Sequence, residues 1–172
     1  MDEWPARTRI DREVPDTFTV GSSMTPRPYV VRSARANDLP SVQALLAAAR
    51  LPADGLEEQF GDGFAIAECD GTAIGAEGIE LYGDAGLLRS AVVDSTWRGS
   101  GVGDALTRDR LQWAASQGLR EVWLLTTTAA EYFPRFGFAR ADRASAPALM
   151  QRSREFAEAC PASAVAMRLP LD

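Results

Sequence analysis

The sequence predicts an α/β domain in which helices cover both faces of a mixed β-sheet. Nearly half of the 172 residues are apolar, which is enough for one packed core. The first half holds short apolar segments separated by turn residues, a pattern typical of hairpins, and the second half alternates strands with helical segments. Hairpins followed by β-α-β units give a sheet with both parallel and antiparallel neighbours.

The chain divides into an N-terminal extension and a domain. Residues 1–27 are rich in charge and proline and lack periodicity, so we predict that the domain spans residues 28–172. No apolar stretch is long enough to cross a bilayer, and residues 1–19 lack the apolar core of a secretion signal. We therefore expect a cytoplasmic protein with no membrane partner.

Cap and turn residues mark the elements of the first half. Asn37 and Asp38 offer a helix cap and Pro40 suits the first turn, because Asn and Asp cap helix N-termini and proline fits the first helical position. Asp70 and Gly71, between two apolar segments, are typical of a hairpin turn. The predicted elements are a strand at 29–32, helices at 40–49 and 56–60, and strands at 64–68, 73–82 and 87–93.

The second half follows a glycine-rich loop. Apolar residues at helical spacing predict a helix at 101–117, which Gly118 ends. Residues 121–126 are nearly all apolar, as expected for a strand inside a covered sheet. The remaining predicted elements are a short helix at 129–136, a strand opening at 137–138, a helix at 147–159 and a last strand at 163–169.

Absent residue types limit the chemistry. The chain has no histidine, which excludes Ser-His-Asp and Cys-His catalysis and histidine-bound zinc, and we expect no metal. It also has no lysine, which excludes Schiff-base chemistry. The net charge of −6 disfavours nucleic acid as a partner. A reaction with an already activated donor, such as a thioester, fits the proton carriers that remain.

The two cysteines, Cys69 and Cys160, are far apart in the sequence. In a cytoplasmic chain we expect them to be reduced structural thiols rather than a disulfide.

The most specific motif has the pattern R-x-x-G-x-G and follows the strand at 87–93. Glycines let the backbone approach a bulky anion, and the first turn of the next helix offers unpaired N–H groups and partial positive charge. The motif therefore indicates a pyrophosphate cradle, although a plain tight turn has a similar pattern. Its residues are Arg98, Gly99, Ser100, Gly101, Val102 and Gly103.

This motif, the apolar pair Val92 and Val93 before it, and the segment 131–138 that ends in Gly-Phe together resemble the GNAT superfamily of N-acetyltransferases. The resemblance covers roughly residues 29–169 and implies a mixed, mostly antiparallel sheet with acetyl-CoA as cosubstrate. It implies that the strands at 87–93 and 121–126 splay apart. Pantetheine would lie in that gap against Val92 and Val93, the 98–103 loop would hold the pyrophosphate, and the acceptor amine would attack the thioester directly.

One position departs from the family pattern. Many GNATs place a tyrosine four residues before the glycine of Gly-Phe, as an acid for the CoA thiolate. This chain has Phe133 there and Tyr132 beside it. Tyr132 is therefore a candidate acid from a shifted position, and the alternatives are that the thiolate leaves unaided or that the protein is a catalytically weak acyl-CoA sensor.

Shorter phrases resemble a narrower group, the small acetyltransferases of bacterial arsenic-resistance gene clusters. They lie at 78–83, 87–90, 124–128, 153–156 and 160–164. The implied acceptor is a small zwitterionic amine, either an arsenic-containing amino-acid analogue or an ordinary amino acid such as glutamate. A homodimer is left open. A thiol-based arsenical binder that uses Cys69 and Cys160 is an alternative function, which the long separation of the two cysteines disfavours.

A zwitterionic acceptor needs a cation for its carboxylate and a carboxylate for its amine proton. Arg89, in mid-strand, is the candidate cation, and a salt bridge with Glu77 or Glu80 is its alternative role. Glu77 and Glu80 face opposite sides of a regular strand, and we predict Glu80 as the base with Glu77 second. Further substrate contacts are predicted at Ser90, Thr126 and Thr127, where the threonines alternatively cap the next segment.

Overall fold

A seven-stranded sheet organises the chain in the computed structural model, which describes residues 27–159 and 161–171. The strand order is β1-β2-β3-β4-β5-β7-β6. Only β4 and β5 are parallel, and every other adjacent pair is antiparallel, which confirms the predicted mixed sheet. The strands are β1 (Val30–Ser33), β2 (Phe64–Cys69), β3 (Thr72–Tyr82), β4 (Ala85–Val93), β5 (Glu121–Thr126), β6 (Ala139–Arg140) and β7 (Val165–Pro170).

Helices cover both faces of this sheet. They are α1 (Leu39–Ala48), α2 (Leu56–Gln59), α3 (Val102–Ser116) and α4 (Ala148–Gln151), with a π-helical turn at Glu155–Ala159 and 3-10 turns at Ala36–Asp38, Ser95–Trp97, Phe133–Phe136 and Arg143–Ser145. On one face Val42 of α1 packs in a cluster with Val92, and Met150 of α4 with Leu87. On the opposite face Leu106 of α3 packs against β2 and β3. Each face of the sheet therefore packs against helices through apolar side chains, as predicted.

A bulge at Ser90 breaks the alternation of side chains along β4. Ser90 has a φ of +55°, a conformation that non-glycine residues rarely adopt, and the pairing with β3 shifts there by one residue. Arg89 and Val92 are three positions apart, so a regular strand would place them on opposite faces. The bulge puts both on the α1 face, where Val92 packs near α1 and Arg89 contacts the loop before α2.

Three predicted elements differ from the structure, two in length and one in its starting residue. The helix predicted at 147–159 is two pieces, because the α-helix ends at Gln151 and only a π-helical turn follows. The helix predicted at 129–136 is a 3-10 turn that begins at Phe133, where Pro134 is the second residue and cannot donate a helical hydrogen bond. The strand predicted to open at 137–138 begins instead at Ala139, because Gly137 caps the preceding turn, and it has two residues.

Asp38 precedes α1, but its carboxylate does not cap that helix. It accepts hydrogen bonds from Arg32 at 2.8 and 2.9 Å and from the Arg35 backbone N–H at 2.7 Å. The Arg32 guanidinium lowers the pKa of Asp38. The predicted cap residue therefore ties β1 to the start of the helix.

Two predictions fall outside the described residues. They are the N-terminal extension at residues 1–27, of which only residue 27 is described, and the reduced state of Cys160. Cys69 is a free, half-buried thiol. Within the described part of the chain, no helix has the length and apolarity needed to cross a membrane.

Candidate active site

The site lies where β4 and β5 separate. Their parallel pairing runs from Ala85 with Glu121 to Leu88 with Leu124 and ends there, although both strands continue. The predicted splay is therefore confirmed. The gap opens into a pocket of about 610 Å³, lined by residues 88–93 of β4, residues 124–129 on and after β5, the start of α3, and the loop residues Leu51 and Pro52.

The glycine loop forms one end of this pocket. Gly99 and Gly101 have φ values of +75° and +87°, which favour glycine, and Gly101 is the cap residue of α3. Four loop residues line the pocket: Arg98, Gly99, Gly101 and Gly103. The other two face elsewhere, since the Ser100 hydroxyl donates to the Trp97 carbonyl and Val102 is buried in the core.

Tyr132 lies beside this loop. A Cβ placed on Gly103 would be 3.1 Å from the Tyr132 hydroxyl, so the phenol packs tightly against the glycine at this point of α3. The Tyr132 hydroxyl donates to Asp104 Oδ1 at 2.9 Å, and the Arg135 guanidinium stacks 4.5 Å from the ring centre. Burial, followed by the hydrogen bond to Asp104, raises the pKa of Tyr132, so the phenol keeps its proton.

Glu77 is a carboxylate inside the wall of the pocket. Its side chain is 1% exposed, and burial raises its pKa to about 8. Its Oε1 atom accepts a hydrogen bond from the Thr107 hydroxyl at 3.1 Å, and Oε2 has no hydrogen-bond partner. Arg110 lowers this pKa and Asp109 raises it, both more weakly than burial does. Glu77 can therefore exchange a proton near neutral pH.

Glu80 lies on the other face of β3 and is not among the residues that line the pocket. Arg89 Nη1 donates to Glu80 Oε1, and the Tyr82 hydroxyl donates to Glu80 Oε2 at 2.5 Å. Both charged side chains of the Glu80–Arg89 pair are at most 2% exposed. The interaction predicted as the alternative role of Arg89 is therefore present.

Arg89 itself does reach the pocket. Its Nη2 atom donates to the Asp54 carbonyl at 2.7 Å and lies 3.4 Å from Glu155, while Nε donates to Ser90 at 3.2 Å. The guanidinium is thus surrounded by groups of the same chain. Of its two carboxylate partners, Glu80 and Glu155, Glu155 is the more distant.

Thr126 and Thr127 line the pocket as predicted. The Thr126 hydroxyl also accepts from the backbone N–H of Ala129 at 2.9 Å, so it caps the turn after β5. Both predicted roles of this threonine are compatible with its position.

Most of the predicted site residues meet in one place. The pocket is lined by Glu77, Arg89, Ser90, Val92, Val93, Arg98, Gly99, Gly101, Gly103, Thr126, Thr127 and Tyr132. The sequence reasoning missed Thr107, Asp104 and Glu155. Thr107 lies one helical turn after Gly103 on α3, a spacing that could have identified it. Glu155 had no such spacing signal, because it lies beyond the end of α4, in the π-helical turn that follows.

Residues 61–140 match the family model described as the acetyltransferase (GNAT) domain. That segment runs from β2 to β6 and includes the glycine loop, α3 and Tyr132. The chain contains a GNAT acetyltransferase domain. No protein of curated function matches the sequence.

Solved structures share this GNAT fold. Rv2747 from Mycobacterium tuberculosis, in complex with CoA and NLQ, is 27% identical with a TM-score of 0.70, over 83% of this chain and 99% of that one. N-acetylglutamate synthase from Neisseria gonorrhoeae, complexed with coenzyme A and N-acetyl-glutamate, is 21% identical with a TM-score of 0.73. That match covers 84% of this chain and 35% of the synthase, and at 21% identity it shows a shared fold alone.

Proposed function

We propose that the protein transfers the acetyl group of acetyl-CoA to the amine of a small zwitterionic acceptor, such as an amino acid. The observation that carries this proposal is the pocket between the splayed ends of β4 and β5. It joins a glycine loop at a helix N-terminus to a buried carboxylate, Glu77, whose pKa lies near 8.

The pocket fits the shape and charge of acetyl-CoA. The edge of β4 beyond Leu88 has no neighbour in β5, so the main chain around Val92 and Val93 is free to pair with the amide groups of pantetheine. The loop offers helix N–H groups for the pyrophosphate. Arg98 and Arg135 line the same pocket and supply positive charge in an otherwise acidic chain.

Glu77 is the residue we propose as the general base. An ammonium acceptor must lose a proton before its nitrogen lone pair can attack the thioester carbonyl, and a carboxylate with a pKa near 8 suits that transfer. Glu77 lines the pocket, whereas Glu80 is held by Arg89 and Tyr82 behind it. The geometry therefore favours Glu77 over Glu80, the reverse of the order inferred from strand alternation.

Tyr132 is the residue we propose as the acid for the departing thiolate. It lines the pocket beside Gly103, and its raised pKa keeps a proton available across the working pH range. Tyr132 directly precedes the 3-10 turn that begins at Phe133, and its side chain lines the pocket although it is one residue before the usual tyrosine position.

The acceptor class rests on charge and on similarity. Arg89 and Glu155 line the pocket, so both a cation and a carboxylate are present for an amino acid. The acceptor's carboxylate would replace Glu155, the more distant of the two acidic side chains on Arg89. The named ligands of the Mycobacterium and Neisseria proteins, NLQ and N-acetyl-glutamate, support a small acceptor. An arsenic-containing amino acid belongs to the same chemical class.

Turnover with a panel of amines tests this function. Purified protein is incubated with acetyl-CoA and each of the common amino acids, an arsenic-containing analogue and simple alkylamines, and thiol release and product mass are measured. We expect acetylated amino acids and little acetylated alkylamine. Tight acetyl-CoA binding without turnover of any amine would overturn the enzymatic proposal in favour of an acyl-CoA sensor.

A further inference from the structure

Arg89 holds its two carboxylate partners in different ways. Its Nη1 atom donates a hydrogen bond to Glu80 Oε1. Its Nη2 atom lies 3.4 Å from Glu155 Oε2. That distance is longer than a charge-assisted hydrogen bond, which spans about 2.7–2.9 Å. Nη2 donates instead to the Asp54 carbonyl, at 2.7 Å. Glu155 is therefore the carboxylate that Arg89 can exchange at the lower cost.

An exchange at this position would also conserve charge. The Arg89 side chain is 1% exposed and shares its single positive charge between the carboxylates of Glu80 and Glu155, which are 2% and 9% exposed. Buried charge is costly unless it is paired. A carboxylate that replaces Glu155 on Arg89 leaves the balance of this cluster as it was, so a ligand's carboxylate can enter without adding charge to it.

The backbone beside Glu155 is anchored, whereas its side chain borders the pocket. Glu155 begins the π-helical turn, and the next residue, Phe156, packs in an apolar cluster. Arg143 donates to the Phe156 carbonyl and, at 2.9 Å, to the Pro161 carbonyl. Because Glu155 lines the pocket, its carboxylate can leave the guanidinium by rotation about its own side-chain bonds while the turn stays in place.

We propose that Glu155 is a specificity-determining residue that occupies the acceptor's carboxylate position on Arg89 until the acceptor displaces it. This inference rests on the proposed function, because it takes Arg89 as the group that binds the acceptor's carboxylate. Glu155 then weakens the binding of acceptors that have a carboxylate and does not affect those that lack one. An internal competitor that fills the position in about nine of ten molecules lowers the apparent affinity about tenfold.

The kinetic test uses the amino acid with the highest kcat/KM and its carboxamide, which lacks the negative charge. Both are compared in wild type, in Glu155→Gln and in the control Glu158→Gln, which removes an equal charge from an exposed position of the same turn. We expect Glu155→Gln to lower KM for the amino acid about three- to tenfold. Its kcat, its KM for the carboxamide and all values of the control should stay near wild type.

The other kinetic outcomes contradict the proposal. An unchanged or higher KM for the amino acid in Glu155→Gln would show that Glu155 is not a competitor. An equal fall in KM for both acceptors, or the same fall in Glu158→Gln, would indicate a general effect of charge and would also overturn it. Glu155→Ala repeats the comparison, since a glutamine amide oxygen can still accept a hydrogen bond from Arg89.

A binding experiment tests the displacement without turnover. CoA-saturated protein is titrated with N-acetylglycine, which has a carboxylate, and with N-methylacetamide, which has none, and binding is followed by NMR. We expect Glu155→Gln to bind N-acetylglycine more tightly than wild type does, with no change for N-methylacetamide. Equal affinities for N-acetylglycine would overturn the displacement. Tighter binding in the variant of a protein that acetylates no amine would overturn the proposed function and leave the displacement standing.

Melting temperature distinguishes a competitor from a structural partner of Arg89. In Glu155→Gln the guanidinium keeps Glu80, so no buried charge loses its counter-charge and the melting temperature should stay close to that of wild type. A large fall in melting temperature, together with weaker binding of both acceptors, would show that Glu155 holds Arg89 in place, which contradicts the proposal.

Discussion

Arg89 on β4 and Glu80 on β3 form an ion pair that is almost completely shielded from water, with Tyr82 hydrogen-bonded to the outer oxygen of Glu80. Removal of either partner leaves a buried charge without its counter-charge. We expect Arg89→Ala and Glu80→Ala each to lower the free energy of unfolding by about 3–5 kcal/mol. Denaturant titration measures this, and the double variant Glu80→Leu with Arg89→Leu should recover much of the loss.

The same arginine gives a prediction about the acceptor. If the acceptor's carboxylate takes the place of Glu155 on Arg89, Arg89→Lys should raise KM for an amino acid far more than KM for an alkylamine, since lysine keeps the charge but cannot hold Glu80 and a second carboxylate in a planar fork. Steady-state kinetics with the two substrate types check this. Equal rises in both KM values would leave Arg89 with a structural role only.

Glu77→Gln tests the base. We expect kcat/KM for the acceptor to fall about 10²-fold or more, and the limb of the pH profile that reports ionisation near pH 8 to disappear. Asp109→Asn is the matched control, because it also removes a carboxylate near Glu77, but one that is more exposed than Glu77. A wild-type profile in Glu77→Gln would show that the amine loses its proton to solvent.

The burial of Glu77 also predicts how the stability of the protein changes with pH. Its pKa rises from the usual 4.5 in the unfolded chain to about 8 in the folded protein, so the folded state holds the extra proton between those values. The contribution of Glu77 to the free energy of unfolding must therefore fall as pH rises from about 4.5 to 8. Glu77→Gln should remove that decline. The melting temperature of the variant minus that of wild type should therefore increase from pH 5 to pH 8.5. A constant difference would contradict the raised pKa.

Gly103→Val tests the cofactor loop. Its side chain would press on Tyr132 and Val93, so acetyl-CoA binding should weaken and the phenol should move from Asp104. Calorimetric titration with CoA measures the affinity. Gly61→Ala is the control, since a Cβ at that position meets nothing within 4 Å and its affinity should match wild type. Unchanged affinity in a folded Gly103→Val protein would argue against the loop as the pyrophosphate site.

Sequence periodicity was sufficient for most of the sheet, because hairpin turns such as Asp70–Gly71 and the apolar strand at 121–126 carry local signals. The glycine loop was recognisable for the same reason. The choice between Glu77 and Glu80 could not be made from local sequence signals. Alternation shows that they face opposite sides but not which side holds the pocket, and that depends on where β4 and β5 part.

The contacts around Arg89 could not be predicted from the sequence, for a different reason. Asp54, Glu155 and Arg89 are far apart in the chain and meet only through tertiary packing. The bulge at Ser90 has no local marker either, since serine rarely adopts a positive φ. Such positions are fixed by the surrounding sheet rather than by the preference of the residue itself.

The unpaired edge of β4 has a consequence for how such a protein can diverge. Along residues 89–93 the groups that face the gap include backbone N–H and C=O groups, which every residue except proline carries in full. A ligand held by main-chain groups places little demand on side-chain identity. The chain can therefore change most of its sequence while its binding cleft persists, in keeping with identities as low as 12% among structures that share its fold.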